Sequence, residues 1–154
     1  DSVAAMRETP GDIPIPRTPE PGDILLDPNP AVTRAGLVAD FARWLDASMI
    51  DSRIAFLVTA TPVDTPFARS WRIVASLPWH EREVKRVLRD LSAGPVDVRR
   101  RGLAGDVDAI AKRLRGPGDR PFMVAMTRVM DQPWAIVCEE PIDRSLRLSL
   151  ANDT

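Results

Sequence analysis

The chain has 154 residues, is 44% hydrophobic and 28% charged, carries a net charge of −1 and holds a single cysteine. That is room for one good core, or one small domain with an appendage, in an ordinary globular composition. One cysteine excludes a disulfide framework and a multi-cysteine zinc site, and no apolar run approaches the roughly 18 residues of a membrane span.

The N-terminus lacks the basic-then-apolar layout of a signal peptide, so a reducing cytoplasm is the expected compartment. A first residue that is Asp1 and not Met predicts a fragment of a longer polypeptide.

Seven of the fifteen prolines fall within residues 1–30, so residues 1–22 read as a proline-rich linker or arm that packs little against the sandwich-forming part of the chain. Residues 23–68 read as a helix–strand connecting subdomain. Ile24-Leu25-Leu26 form a short strand. A helix then starts with Asn29 as N-cap and Pro30 at its first position. Val32, Ala35, Ala39, Ala42, Leu45 and Met49 form its apolar stripe, widened by Phe41 and Trp44, which predicts a helix to about Met49. Ile54 to Val58 read as a buried strand.

Residues 69–140 carry a regular succession. Trp71, Ile73, Ala75 and Leu77 alternate as far as Pro78, which predicts a strand. Val84, Val87, Leu88 and Leu91 recur at helical spacing and are closed by Gly94-Pro95. Val96 to Arg101 form a second strand ended by Gly102. Asp106 caps a second helix with Val107, Ile110, Ala111 and Leu114, stopped by Gly116-Pro117. Phe122 to Val129 and Trp134 to Cys138 are strands joined by a turn at Met130-Asp131-Gln132-Pro133. Residues 141–154 are a C-terminal tail. The predicted class is α+β, a two-layer β-α-β-α-β-β sandwich preceded by a helix and a short strand, with both helices on one face of a mixed four-stranded sheet.

Charge is distributed unevenly over these parts. Residues 1–68 have net charge −5, residues 69–128 set fourteen Lys+Arg against seven acids for +7, and residues 129–154 have −3. A basic block on a folded unit points to a polyanionic partner, most often nucleic acid. Arg82, Lys85, Arg86 and Arg89 form a stripe about 200° around the helix from its apolar counterpart. Arg99 and Arg101 share one strand face, away from Val96 and Val98, and neither strand of the following hairpin supplies an acid at mid-strand. Lys112 and Arg113 close the second helix, where the helix dipole favours cations. These eight are the candidate RNA contacts. The plainer alternatives are a solvated helix face and cross-strand ion pairs.

Other residues point to structure. His80, alone of its kind, is read as structural or capping and cannot build a metal site. Cys138 reads as a buried small hydrophobe, and Trp71, Trp134 and Phe122 as core. Trp79 is the one candidate for base stacking. Gly102-Leu103-Ala104-Gly105 has the G-x-x-G form of a loop that clamps an RNA backbone, but joins a strand to a helix where that loop joins two helices. No residue is assigned as catalytic, cofactor-binding or metal-binding.

Asp27-Pro28-Asn29-Pro30-Ala31-Val32-Thr33-Arg34-Ala35-Gly36-Leu37, Pro62-Val63-Asp64-Thr65-Pro66-Phe67-Ala68-Arg69, Val98-Arg99-Arg100-Arg101-Gly102 and Thr127-Arg128-Val129 resemble the C-terminal, THUMP-like region of actinobacterial class I S-adenosylmethionine-dependent methyltransferases. The order of elements also resembles the C-terminal domain of translation initiation factor 3. The methyltransferase resemblance implies a module that binds tRNA or rRNA and presents it to an N-terminal methyltransferase core in the same polypeptide. It also implies S-adenosylmethionine for the full-length protein, while the lack of a glycine-rich nucleotide loop between a strand and a helix predicts no cofactor in this segment. Asp27-Pro28-Asn29-Pro30 is faintly like the Asn-Pro-Pro-aromatic motif of amino-group methyltransferases but lacks the aromatic, and is read as a helix start. The rival reading is a protein-interaction or dimerisation module, possible as a homodimer, with Phe41, Trp44 and the Ile54–Val58 strand as its apolar patch.

Overall fold

The computed structural model describes residues 15–140. Its strands are β1 (Ile24–Pro28), β2 (Ser48–Met49), β3 (Leu57–Thr59), β4 (Ala68–Pro78), β5 (Ala93–Arg100), β6 (Arg120–Val129) and β7 (Gln132–Glu139). Its helices are α1 (Pro30–Arg34), α2 (Val38–Leu45), α3 (Glu81–Asp90) and α4 (Val107–Leu114). The strands form one sheet in the order β2-β3-β1-β4-β7-β6-β5, with β5 and β6 parallel and the other pairs antiparallel. Residues 68–139 thus follow the expected β-α-β-α-β-β order, and the α+β class holds. No helix among the described residues is long and apolar enough to cross a membrane.

The expected four-stranded sheet is extended by three strands from the segment before it. β4 is the join, because its first half pairs with β1 and its second half with β7. Its alternation also breaks there. Trp71 and Ile73 face one core while Val74, Ala75 and Leu77 pack against another, because the register shifts between Ile73 and Ala75. An unpaired extra residue rotates the following side chains to the opposite face, so the four alternating apolar residues do not share one face as expected.

Side chains alternate through three cores. Leu25 and Val58 point to the central core, whereas Ile24, Leu26 and Leu57 point to an outer one roofed by α1 and α2. On β6, Met123 and Ala125 enter the central core while Phe122, Val124 and Met126 meet α3 and α4. β6 is therefore buried on both faces, which accounts for its near-continuous apolar sequence. The expected two layers, α3 and α4 on the β4-β7-β6-β5 half-sheet, are present, and two more lie beyond them: the β1-β3-β2 half-sheet, and α1 with α2.

The sheet is bent to achieve this. β1 and β5 are four strand spacings apart, about 19 Å if flat, yet Arg99 of β5 bonds Asp27 of β1 at 3.2 Å.

Local signals explain most boundaries. Asn29 Oδ1 accepts from the Ala31 and Val32 amides at 3.1 and 3.3 Å, and Asp106 Oδ1 from Ala109 at 3.2 Å. The helix expected to reach Met49 is instead two, because Gly36 at φ +70° turns the chain after α1 and Asp46 at φ 54° ends α2. Met49 lies on β2, and the strand expected over Ile54–Val58 begins later, at Leu57. Residues 15–22 of the expected arm are tied to the sheet, since the Arg17 amide donates to the Met49 carbonyl (2.9 Å) and Gly22 to Ile73 (2.8 Å). Residues 1–14 of that arm and the tail 141–154 lie outside the described residues.

Candidate nucleic-acid interface

α3 is built as its sequence spacing dictates. Val84 and Leu88 are buried and Val87 and Leu91 pack beside them, all in the core beneath the helices. Arg82, Lys85, Arg86 and Arg89 are exposed on the other side. Arg86 donates to Glu83 at 2.6 Å one turn earlier. Arg82, Lys85 and Arg89 form no ion pair among the described residues. α3 also carries Glu81, Glu83 and Asp90, of which Glu83 pairs with Arg86. The exposed line of four cations thus keeps three without an ion pair among the described residues, a footprint suited to phosphates.

Lys112 and Arg113 lie on the neighbouring α4, and both are exposed. Lys112 has no ion pair among the described residues. Arg113 has a structural task, its guanidinium donating twice to Glu81 at 2.8 and 3.0 Å and so fastening α4 to the start of α3. That hydrogen-bonded pairing holds the Glu81 carboxyl below its ordinary range.

Arg99 and Arg101 are placed elsewhere. They point away from the helices, toward the central core, and each is about one third exposed. Asp27 accepts from both, from Arg99 Nη1 at 3.2 Å and from Arg101 Nε at 2.9 Å. The acid missing from the hairpin is supplied by β1, 72 residues earlier in the chain. The eight candidates therefore occupy two faces of the sheet: six on the helix layer and two in a groove on the far side. Arg69, absent from the candidates, joins that groove. The signal that could have found it was its place in a basic block, but nothing local distinguished it from Arg72.

The remaining candidates resolve as packing. His80 occupies the N-cap position of α3, but its side chain makes no capping bond. Trp71 is 2% exposed, whereas Trp134 is half-buried and donates from Nε1 to Ser76 Oγ at 2.8 Å. Trp79 packs against the helix-side core. Cys138 is buried in the central core, which raises its thiol well above the ordinary range and leaves it protonated. Gly102 has φ +82°, and a Cβ there would sit 2.2 Å from Ile54 Cδ1. Its carbonyl accepts from Arg128 Nε at 2.9 Å. The glycine thus serves a close approach and not an open clamp.

The resemblance implies S-adenosylmethionine for the full-length protein and not for this segment, where Pro78-Trp79-His80 lead into α3 and Pro28 and Pro30 flank the entry to α1. The apolar patch of the dimerisation reading is also consumed: Phe41, Phe56, Leu57 and Val58 are fully buried in this chain's own cores, with Trp44 packed beside Phe41.

Residues 68–140, the segment that holds α3, α4 and the Arg99–Arg101 strand, match the family described as THUMP domain-like. This segment is a THUMP-like domain. Two curated relatives from Mycobacterium tuberculosis, strains CDC 1551 / Oshkosh and ATCC 25618 / H37Rv, are each 35% identical over 108 residues. Both are named as uncharacterized S-adenosylmethionine-dependent methyltransferases. The match covers 70% of this chain and 30% of each relative, so this chain spans less than a third of their length. The fold is also that of part of a presumed methyltransferase from Porphyromonas gingivalis W83, whose crystal structure superposes with a TM-score of 0.65. That likeness covers 92% of this chain and 34% of the other at 14% identity. The THUMP-like domain carries both basic surfaces, but the groove is completed by Asp27 and Asn29 from the segment before it.

Proposed function

We propose that this chain is an RNA-binding module that presents a tRNA or rRNA to an S-adenosylmethionine-dependent methyltransferase core in the same cytoplasmic polypeptide. The observation that carries the reading is the exposed line Arg82, Lys85, Arg86 and Arg89 on α3, opposite the buried Val84 and Leu88. Lys112 of α4 adds a further cation on the helix layer. The relatives' names and greater length support a catalytic core outside this chain, and S-adenosylmethionine belongs to that core. Phosphate contacts of this kind set affinity and register without reading bases. The module thus positions a folded RNA, and the core selects the nucleotide.

The test is a salt-titrated binding measurement of the chain with tRNA and with duplex DNA. Affinity for tRNA should fall steeply as salt rises. Changing Arg82, Lys85, Arg86 and Arg89 together to Gln should flatten the log–log slope by roughly 0.7–0.9 for each phosphate no longer neutralised. The far-UV spectrum should not change, because the substituted side chains are exposed. Equal binding by the variant removes the stripe from the interface, and a wild-type chain that ignores tRNA removes the reading.

A further inference from the structure

Trp71 and Phe56 are 2% and 0% exposed, so the core fixes the planes of both rings. Arg69 and Arg99 each hold a guanidinium 5.0 Å from the Trp71 ring centroid, and Arg101 lies 5.5 Å from that of Phe56. Stacking of this kind pre-orders a guanidinium while leaving its N–H edge free to bond. All three arginines line one groove of about 330 Å³, together with Asp27 and Asn29. Asp27 is the single carboxylate in its wall. Asp97 and Glu140 make longer ion pairs from outside the lining, at 3.8 Å from Arg99 Nε and from Arg69 Nη2. The lining itself sets three arginines against one carboxylate, and Asp97 and Glu140 balance the other two charges from outside it.

A second observation points the same way. Arg99 Nε is buried and has no hydrogen-bond acceptor, the Asp97 carboxylate lying 3.8 Å from it, beyond hydrogen-bond reach. Buried polar donors in folded proteins are nearly always satisfied, so an orphan on a charged group at a groove wall marks a place for an oxyanion. Three stretches of chain far apart in sequence make this wall: Asp27 and Arg69 are cross-strand partners on β1 and β4, and the bend of the sheet brings Arg99 to them.

We propose that this groove is a phosphate-binding site, separate from the α3 stripe and on the opposite face of the sheet, that takes one phosphate of a bound RNA while Asp27 holds Arg99 and Arg101 in place. The identity of the donor molecule rests on the RNA-binding reading. The groove chemistry does not, since inorganic phosphate offers the same tetrahedral oxyanion to the same N–H groups. Asp27 is then a built-in competitor: it orders the arginines when the groove is empty and opposes the anion that arrives.

The experiment uses the 154-residue chain with two probes, inorganic phosphate and tRNA. Phosphate is followed through the Nε–H resonances of ¹⁵N-labelled arginine, and those of Arg99 and Arg101 should move on titration. Asp27→Asn should tighten phosphate roughly fivefold or more by removing a nearby like charge. Arg69→Gln should weaken it, and this variant keeps the fold because the Arg69 side chain is 58% exposed. Both substitutions should change tRNA affinity in the same directions, and should do so also in a chain whose four α3 cations are already Gln. A chain that titrates with phosphate but binds no tRNA would end the RNA reading and keep the groove as a free-phosphate site. Phosphate binding with tRNA affinity unmoved by either variant would overturn the RNA assignment. Arginine resonances that ignore phosphate, with tRNA affinity unchanged in both variants, would overturn the site and leave the cluster as a strut between β1 and β5.

Discussion

Asp51 shows how one side chain can tie distant segments. It is 3% exposed, yet its Oδ1 accepts from the Arg53 amide at 2.9 Å and its Oδ2 from the Asp131 amide at 2.7 Å. The second bond fastens the β6–β7 turn, where Met130 and Asp131 both take positive φ. Burial pushes the Asp51 carboxyl up, but those two amides and the nearby Arg53 and Arg128 outweigh it, so the net direction is down. A folded-state value below the unfolded one of about 3.9 gives stability that is complete above that pH and lost as pH falls through the folded value. Asp51→Asn should therefore cost about 1–3 kcal/mol at pH 7, with the gap to wild type narrowing below about pH 4. Denaturant melts of both proteins at pH 7 and pH 3 measure it, and an equal gap at both would show that the charge is not used. Nothing near Asp51 in the sequence names Asp131 as its partner, so this residue was illegible before the fold. Arg99 and Arg101 were half legible: their shared face followed from strand alternation, but their acid came from Asp27.

At the scale of elements, the segment 68–139 was the most readable because each change of hydrophobic period there is bounded by a Pro or Gly stop. Asn29 and Asp106 act as the caps their positions foretold. The segment 30–49 misleads because a stripe can continue in sequence through a break in the backbone. The signal was present in Gly36, whose φ of +70° is a helix-ending conformation that other residues resist. No heavy atom lies within 4 Å of where its Cβ would be, so only backbone strain opposes a side chain. Gly36→Ala should cost about 1–2 kcal/mol and leave tRNA binding untouched. Thermal melts read the first effect and a binding isotherm the second; a change in affinity without one in stability would contradict this assignment.

For the whole molecule, the bend of the sheet makes the segment before β4 part of the same cooperative unit. Leu25, Ile50, Ile54, Phe56 and Val58 pack directly on Trp71, Met123, Ala125 and Ile136. A chain cut to residues 69–140 would keep the THUMP-like order but open that apolar face to water. It should bind a hydrophobic dye and aggregate, whereas the 154-residue chain should unfold in one transition with coincident tryptophan fluorescence and circular dichroism. A soluble, cooperatively folding fragment would show that the two halves of the sheet are energetically independent.

By itself the sequence determined what short-range physics controls. It set the α3 and α4 faces, the caps, the turn at Met130, the β-α-β-α-β-β order and the basic line on α3. Each depends on spacing along the chain within a turn or two. Only the tertiary structure decided that three more strands extend the sheet, that a bulge at Ile73/Ala75 rotates the end of β4, and that Asp27, Arg69, Arg99 and Arg101 share one groove. Those outcomes depend on how a twisted, bulged sheet bends to bury both faces of β6. That bend is a balance of packing over the whole chain that no local pattern encodes.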